Sequence, residues 1–212
     1  MEFPSYFRHV RTPTPESNVP TQISETRGLK TLARKIPSQR WEFTFNGFTY
    51  NGSCNGVSNN DSIRFFGEFV AAAENGFGVF DYKPHDKFLM GAVNSQLYDT
   101  PSAGDDTFRI SIASGIANPD SVVMPGKMFK FSTDDKAYMI RSAEFSFVNG
   151  PQRVYDVKIH PPLFKSQALF TSIISDSNMR IKLRVDGGTG RGVTSDVVRD
   201  KTVYQFKMIE VI

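Results

Sequence analysis

The run Trp41-Glu42-Phe43-Thr44-Phe45 alternates apolar and polar residues. Successive side chains of a strand point to opposite faces, so Trp41, Phe43 and Phe45 share one side, and a β core is expected to begin here. Downstream, Asn-Gly recurs at Asn46, Asn51, Asn55, Asn75 and Asn149. That dipeptide suits the positive φ angles of tight hairpin turns, so short strands joined by turns are expected. One helix is predicted from Asp61 to Glu74, with Asp61 or Ser62 as N-cap and Phe65, Phe66, Phe69, Val70 and Ala73 at helical spacing. Asn75-Gly76 would end it, and Phe77 to Tyr82 reads as a strand.

A small, polar stretch from Asn94 to Asp106 reads as a loop, followed by a strand at Thr107 to Ala113, where Phe108, Ile110 and Ile112 alternate with polar residues. Further strands are expected at Lys127 to Phe131, Ala137 to Phe147, Arg153 to His160, Leu169 to Ile174, Met179 to Val185 and Thr202 to Val211. The fold class is therefore mainly β, a β-rich α+β chain with a barrel or sandwich and one main helix. The expected organisation is an extended N-terminal arm over 1–40, a strand-helix-strand unit over 41–106 and a barrel or sandwich unit over 107–212, with 41–212 also readable as one domain.

The arm is expected because Pro13, Pro15, Pro20 and Pro37 stand among Thr, Ser and Glu, a composition that disfavours helix. Between Arg27 and Arg40 it carries Arg27, Lys30, Arg34, Lys35 and Arg40 and no acidic residue. These cations, with Arg191 in the polar loop Gly187 to Asp200, are the candidate interface residues, suited either to solvent or to an acidic face of a neighbouring subunit.

Composition narrows the function. A net charge of +3 is too slight for the concentrated basic stripe of a duplex binder, so no specific nucleic-acid binding is expected. Cys54 is the single cysteine, which rules out an intrachain disulfide and suits assembly in a reducing cytoplasm. Neither a signal peptide nor a membrane-length apolar run is visible, so a soluble protein without membrane insertion is expected.

Chemistry is sparse. His9, His85 and His160 are far apart and lack ligand-spaced partners. Asp105-Asp106, Asp134-Asp135 and Asp81 with Asp86 sit among turn residues, where carboxylates usually bond nearby backbone. No nucleophile elbow is present, and Gly187 to Gly192 lacks the Lys-Ser/Thr ending of a phosphate loop. No catalytic, metal-binding or cofactor-binding residue is assigned, no cofactor is expected, and the chain is read as a non-enzyme.

Four segments carry a resemblance. Gln39 to Phe45, then the helix with Phe65 to Phe69 and the ending Asn75-Gly76-Phe77-Gly78-Val79-Phe80, resembles an Arg-Trp strand followed by a helix and a Gly-aromatic strand. Val123-Met124-Pro125-Gly126-Lys127-Met128-Phe129-Lys130-Phe131 is similar to a Pro-Gly-Asp entry into a barrel, with Lys127 where an acidic residue is common. Val154 to Leu163 looks like a strand ending in Pro-Pro-Leu-Arg, with Phe164 in place of the arginine. Met179 to Leu183 and Tyr204 to Val211 resemble the closing strands.

In this order the segments resemble distal tail and related minor tail proteins of tailed bacteriophages. The resemblance implies a tail-tube-like β-barrel assembled as a ring, commonly a hexamer, at the distal end of the tail tube in the virion. Its partners would be other copies of itself, the tail tube protein, and tail hub, tip or baseplate proteins. A tail terminator or head-tail connector and a carbohydrate-binding tail-tip module are the alternatives.

Overall fold

In a computed structural model of the protein, the alternation read at Trp41 runs through an eleven-residue strand, Arg40–Tyr50 (β5), and Trp41, Phe43 and Phe45 are buried on one face of it. The structure describes residues 1–18, 21–25, 31–35, 39–50, 52–54, 57–59, 61–71, 78–91, 94–113, 115–116, 119–186, 194–198 and 201–211. The chain is mainly β. It divides into unit 1, Met1–Asp81 with Lys182–Val211, and unit 2, Tyr82–Ile181. This differs from the expected boundaries at 40 and 106, because β5 takes its long partner from the far end of the sequence.

That partner is Lys201–Glu210 (β17), antiparallel to β5 with Phe45 opposite Phe206. The other edge of β5 is covered by Arg8–His9 (β1) and Pro15–Asn18 (β2). The far edge of β17 carries Thr194–Val198 (β16) and Ile181–Val185 (β15), with Phe80–Tyr82 (β8) beyond β15. The expected Gly187 to Asp200 loop thus contains a strand, since β17 still had an unpaired half-edge to offer it.

The first residues close the sheet. Phe3 N donates to Asp81 O at 3.1 Å and Asp81 N donates to Met1 O at 2.7 Å. Because Arg8–His9 pairs with β5, the segment Met1–His9 bridges both edges of the seven-stranded sheet. The residues read as an arm are extended, but the first eighteen belong to unit 1 and Phe7 is buried in it. Burying that ring outweighs the prolines that suggested a solvated segment.

Aromatic rings fill unit 1. Phe45 stacks on Phe206 at 5.2 Å and on Phe3 at 5.0 Å, while Phe69 meets Phe80 at 4.5 Å and Phe65 at 4.7 Å. Phe65 and Phe69 come from Asp61–Phe65 (α1), which continues through Phe66–Val70 as π-helix. The wider turn separates Phe66 from the stripe assigned to it, and Phe66 is 58% exposed. Ala73 and Asn75-Gly76 lie outside the described residues.

Asn46-Gly47 is not a turn. It lies within β5, where a Cβ on residue 47 would strike the Phe7 ring and the Arg8 carbonyl oxygen. The glycine is there to admit the N-terminal segment.

Beyond the pairing of Asn18 with Arg40, Thr21–Glu25 (β3) and Thr31–Lys35 (β4) form a hairpin with Thr21 opposite Lys35. Among the described residues β3 and β4 pair only with each other, as do Gly52–Cys54 (β6) and Val57–Asn59 (β7).

Unit 2 is a second closed sheet. Ser95–Leu97 (β9), Thr107–Ala113 (β10), Met128–Phe131 (β11), Ala137–Asn149 (β12), Gln152–His160 (β13) and Ile173–Ile174 (β14) stand in the order β14-β11-β12-β13-β10-β9, with antiparallel neighbours. Leu97 N donates to Thr171 O at 3.0 Å, Phe170 N donates to Leu97 O at 3.1 Å, and Gln96 bridges to Ser172. The six strands therefore form a barrel around Leu97, Ile110, Ile112, Phe129, Tyr138 and Val157. A single helical turn, Pro119–Val122 (α2), carries the chain from β10 to β11 because β9 and β13 already occupy both edges of β10.

Two local expectations change here. The predicted loop 94–106 contains β9, whose one apolar residue, Leu97, left no alternation to read. The predicted strand 169–174 shrinks to β14 because Phe170 turns to φ +63°.

Candidate functional site

The sequence-derived interface residues fall in different settings. Arg27, Lys30 and Arg191 lie outside the described residues. Arg34 and Lys35 are on β4, where the backbone pairs Gln22 with Arg34 and Thr21 with Lys35. Arg40 opens β5 opposite Asn18. The structure thus places Arg34 and Lys35 on the β3–β4 hairpin and Arg40 in the sheet of unit 1.

The titratable groups serve local geometry. Asp105 accepts from Ser102 N at 2.8 Å, Asp106 accepts from the Thr107 hydroxyl at 3.0 Å, and His85 Nδ1 accepts from Lys87 N at 3.2 Å. Lys83, 2.9 Å from Asp86, holds that carboxyl below its usual range. Buried Asp134 accepts from the Tyr138 hydroxyl at 2.9 Å and from Lys136 N at 3.0 Å, and Tyr138 Oη accepts from Phe164 N at 3.1 Å. Lys127, which departs from the acidic pattern, donates to Leu89 O at 2.8 Å and Lys87 O at 3.1 Å.

Two histidines sit below their ordinary pKa. The His9 residue is exposed, yet its ring faces Phe7 at 5.1 Å and Phe45 at 5.7 Å, and the lost hydration disfavours its charged form. For His160 burial acts first, followed by the charges of Arg141 and Lys136. Burial and a hydrogen bond to Asp120 push the Tyr155 hydroxyl up to about 12. Among the described residues no three His, Cys, Asp or Glu side chains are grouped to hold a metal ion.

A concavity lies on unit 2, where β9, the start of β13 and the segment 169–178 meet. One half, of about 630 Å³, is lined by Asn94, Ser95, Gln96, Gln152 and Ser172 among others. The adjoining half, of about 800 Å³, shares Gln96, Pro151 and Gln152 and adds Tyr98, Leu169 and Phe170. Among the described lining residues Asp176 is the one that is charged, and it accepts from Asn178 N at 2.9 Å and Asn178 Nδ2 at 3.0 Å.

Backbone strain shapes the second half. Phe170 is 56% exposed and holds φ +63°, a left-handed conformation that costs a residue with a Cβ about 1–2 kcal/mol. The main chain clamps it there. Thr171 N donates to Ala168 O at 3.2 Å and Thr171 Oγ1 to the same oxygen at 2.7 Å, beside the Leu97 bonds that close the barrel. Tyr98 is set by Asn149 Nδ2, which donates to its hydroxyl at 2.9 Å, and by Phe147, whose ring stands edge-on at 5.5 Å.

Sequence reasoning missed this groove. Gln96 lay in a presumed loop and Phe170 in a presumed strand, and no local pattern reveals that barrel closure brings them together. No protein-family model and no curated protein matches the sequence.

Proposed function

We propose that the protein is a non-enzymatic structural subunit of a bacteriophage tail, forming a ring, of six copies, at the distal end of the tail tube. The observation that supports this reading is the β3–β4 hairpin, which pairs with no other strand among the described residues and carries Arg34 and Lys35. An isolated two-stranded hairpin is marginally stable in water, so this one gains stability by lying on another subunit. Exposed strand edges recruit neighbours through backbone hydrogen bonds, and the ribbon's basic residues favour an acidic face.

In this reading the arm that contacts the next subunit is the hairpin rather than the whole of residues 1–40. Residues 1–18 belong to unit 1 and cannot leave without opening its core. The four-segment resemblance adds the position in the tail.

Gold-labelled antibody on phage particles tests the proposal, with label expected only at the tail tip. Label at the head-tail joint would move the protein to the terminator or connector class. No label on disrupted particles would overturn the virion reading. Replacing residues 21–35 by a short turn should leave both units folded and abolish ring formation, whereas rings from that variant would remove the hairpin from the interface.

A further inference from the structure

We infer that the groove on unit 2 binds a neutral oligosaccharide. The inference does not rest on the ring proposal, and either can fail without the other. Its first support is a hydrogen-bonding inventory left open. The side chains of Asn94, Ser95, Gln96, Gln152 and Ser172 line one half of the groove and make no hydrogen bond among the described residues. A carboxamide offers donors and an acceptor a fixed distance apart, and a hydroxyl offers both from one atom. Two adjacent sugar hydroxyls, each donor and acceptor at once, match that set.

Charge selects against the other ligand classes. Among the described residues no Lys, Arg or His lines either half, so a phosphate, sulfate or acidic glycan would find no counter-charge there. Among the described lining residues Asp176, already bonded by Asn178, is the single feature that would attract a cation. A peptide strand would need a free sheet edge, and β9 is bonded to β10 on one side and to Phe170 and Thr171 on the other.

The aromatic half supplies what amides cannot. Pyranose rings present C–H faces that pack on aromatic surfaces, and Tyr98 and Phe170 stand beside the shared Gln96 and Gln152. Phe170 is the telling residue, because strain and solvent exposure both count against it in a purely structural role. Ligand pockets are commonly concave, partly aromatic and furnished with a few convergent polar groups, at volumes like these.

The test titrates the full-length protein with chitotetraose, maltotetraose, cellotetraose and mannotetraose, read by backbone amide NMR. At least one should shift the signals of Gln96, Tyr98, Gln152 and Phe170. Gln96→Ala, Gln152→Ala and Phe170→Gly should each weaken that sugar by about tenfold or more. Glycine accepts the left-handed φ without strain, so Phe170→Gly should keep its thermal midpoint within about 3 °C, which separates lost binding from lost fold.

Shifts from none of the four sugars, or shifts away from the groove, would overturn the inference. So would unchanged affinity in Gln96→Ala and Phe170→Gly. Should the sugars leave the groove silent while Phe170→Gly breaks up assembled rings, the groove is a protein seat and the saccharide reading falls.

Discussion

The two units solve the same problem, closing a curled sheet, with chain segments of opposite locality. Unit 2 uses one continuous stretch, and its longest pairing, β12 with β13, is a hairpin turned by Gly150-Pro151 with Gly150 at φ +54°. Unit 1 gathers Phe3 and Phe7, Phe45, Phe65 and Phe69, and Phe206 from separate parts of the sequence. Bringing distant segments together costs loop-closure entropy before any contact repays it. A dense cluster of rings is one way to repay it, because each buries a large apolar area and pairs favourably with its neighbours.

The sharpest way to break the comparison is to remove one ring. Phe45→Ala deletes a fully buried side chain that stacks on both Phe3 and Phe206, and should cost unit 1 about 3–5 kcal/mol. Calorimetry should show the unit 1 transition falling while amide protection within β10 to β13 persists. Equal losses in both regions would mean that the units unfold as one.

Unit 2 should answer to a polar deletion instead. Tyr138→Phe takes one of the two donors from buried Asp134, whose bond from Lys136 N remains, and takes from Phe164 N its acceptor, and should cost about 1–3 kcal/mol by urea denaturation. An unchanged midpoint would show that the hydroxyl does not pin the segment after β13.

Acid should distinguish the units least. In both, a histidine has a folded pKa below its unfolded value, so the unfolded chain takes the proton first as pH falls. The stability they lend is complete above about pH 6.5 and is lost as pH falls through the folded values. His9→Gln should flatten the acid limb for unit 1 alone and His160→Gln for unit 2 alone, as followed by NMR thermal melts at about pH 7 and pH 5. A limb unaffected by either change would remove both rings from the pH response.

The legible parts of the fold are those with a long local pattern. Trp41, Phe43 and Phe45 mark β5, and Phe108, Ile110 and Ile112 mark β10 at its observed bounds. Asn46-Gly47 misled because its glycine answers Phe7, forty positions earlier, rather than a turn. Phe3 and Phe7 announce the N-terminal segment only once the ring cluster that receives them is known. The groove was invisible for the same reason, since Gln96, Gln152 and Phe170 share nothing in sequence and meet only when Leu97 bonds to Phe170 and Thr171.

β8 and β15, through which the chain leaves unit 1 and returns, are neighbours in its sheet. Unit 2 is therefore a guest spliced between adjacent strands of a host, and on the ribosome the guest is finished first. While unit 2 is already complete, the host still waits for β17, its central strand, and β5 emerges with its long apolar face uncovered. At a synthesis rate of about 5–20 residues per second, β5 stays without that partner for roughly 8–30 s. The interval is long enough for a holding chaperone to be the first partner this protein meets.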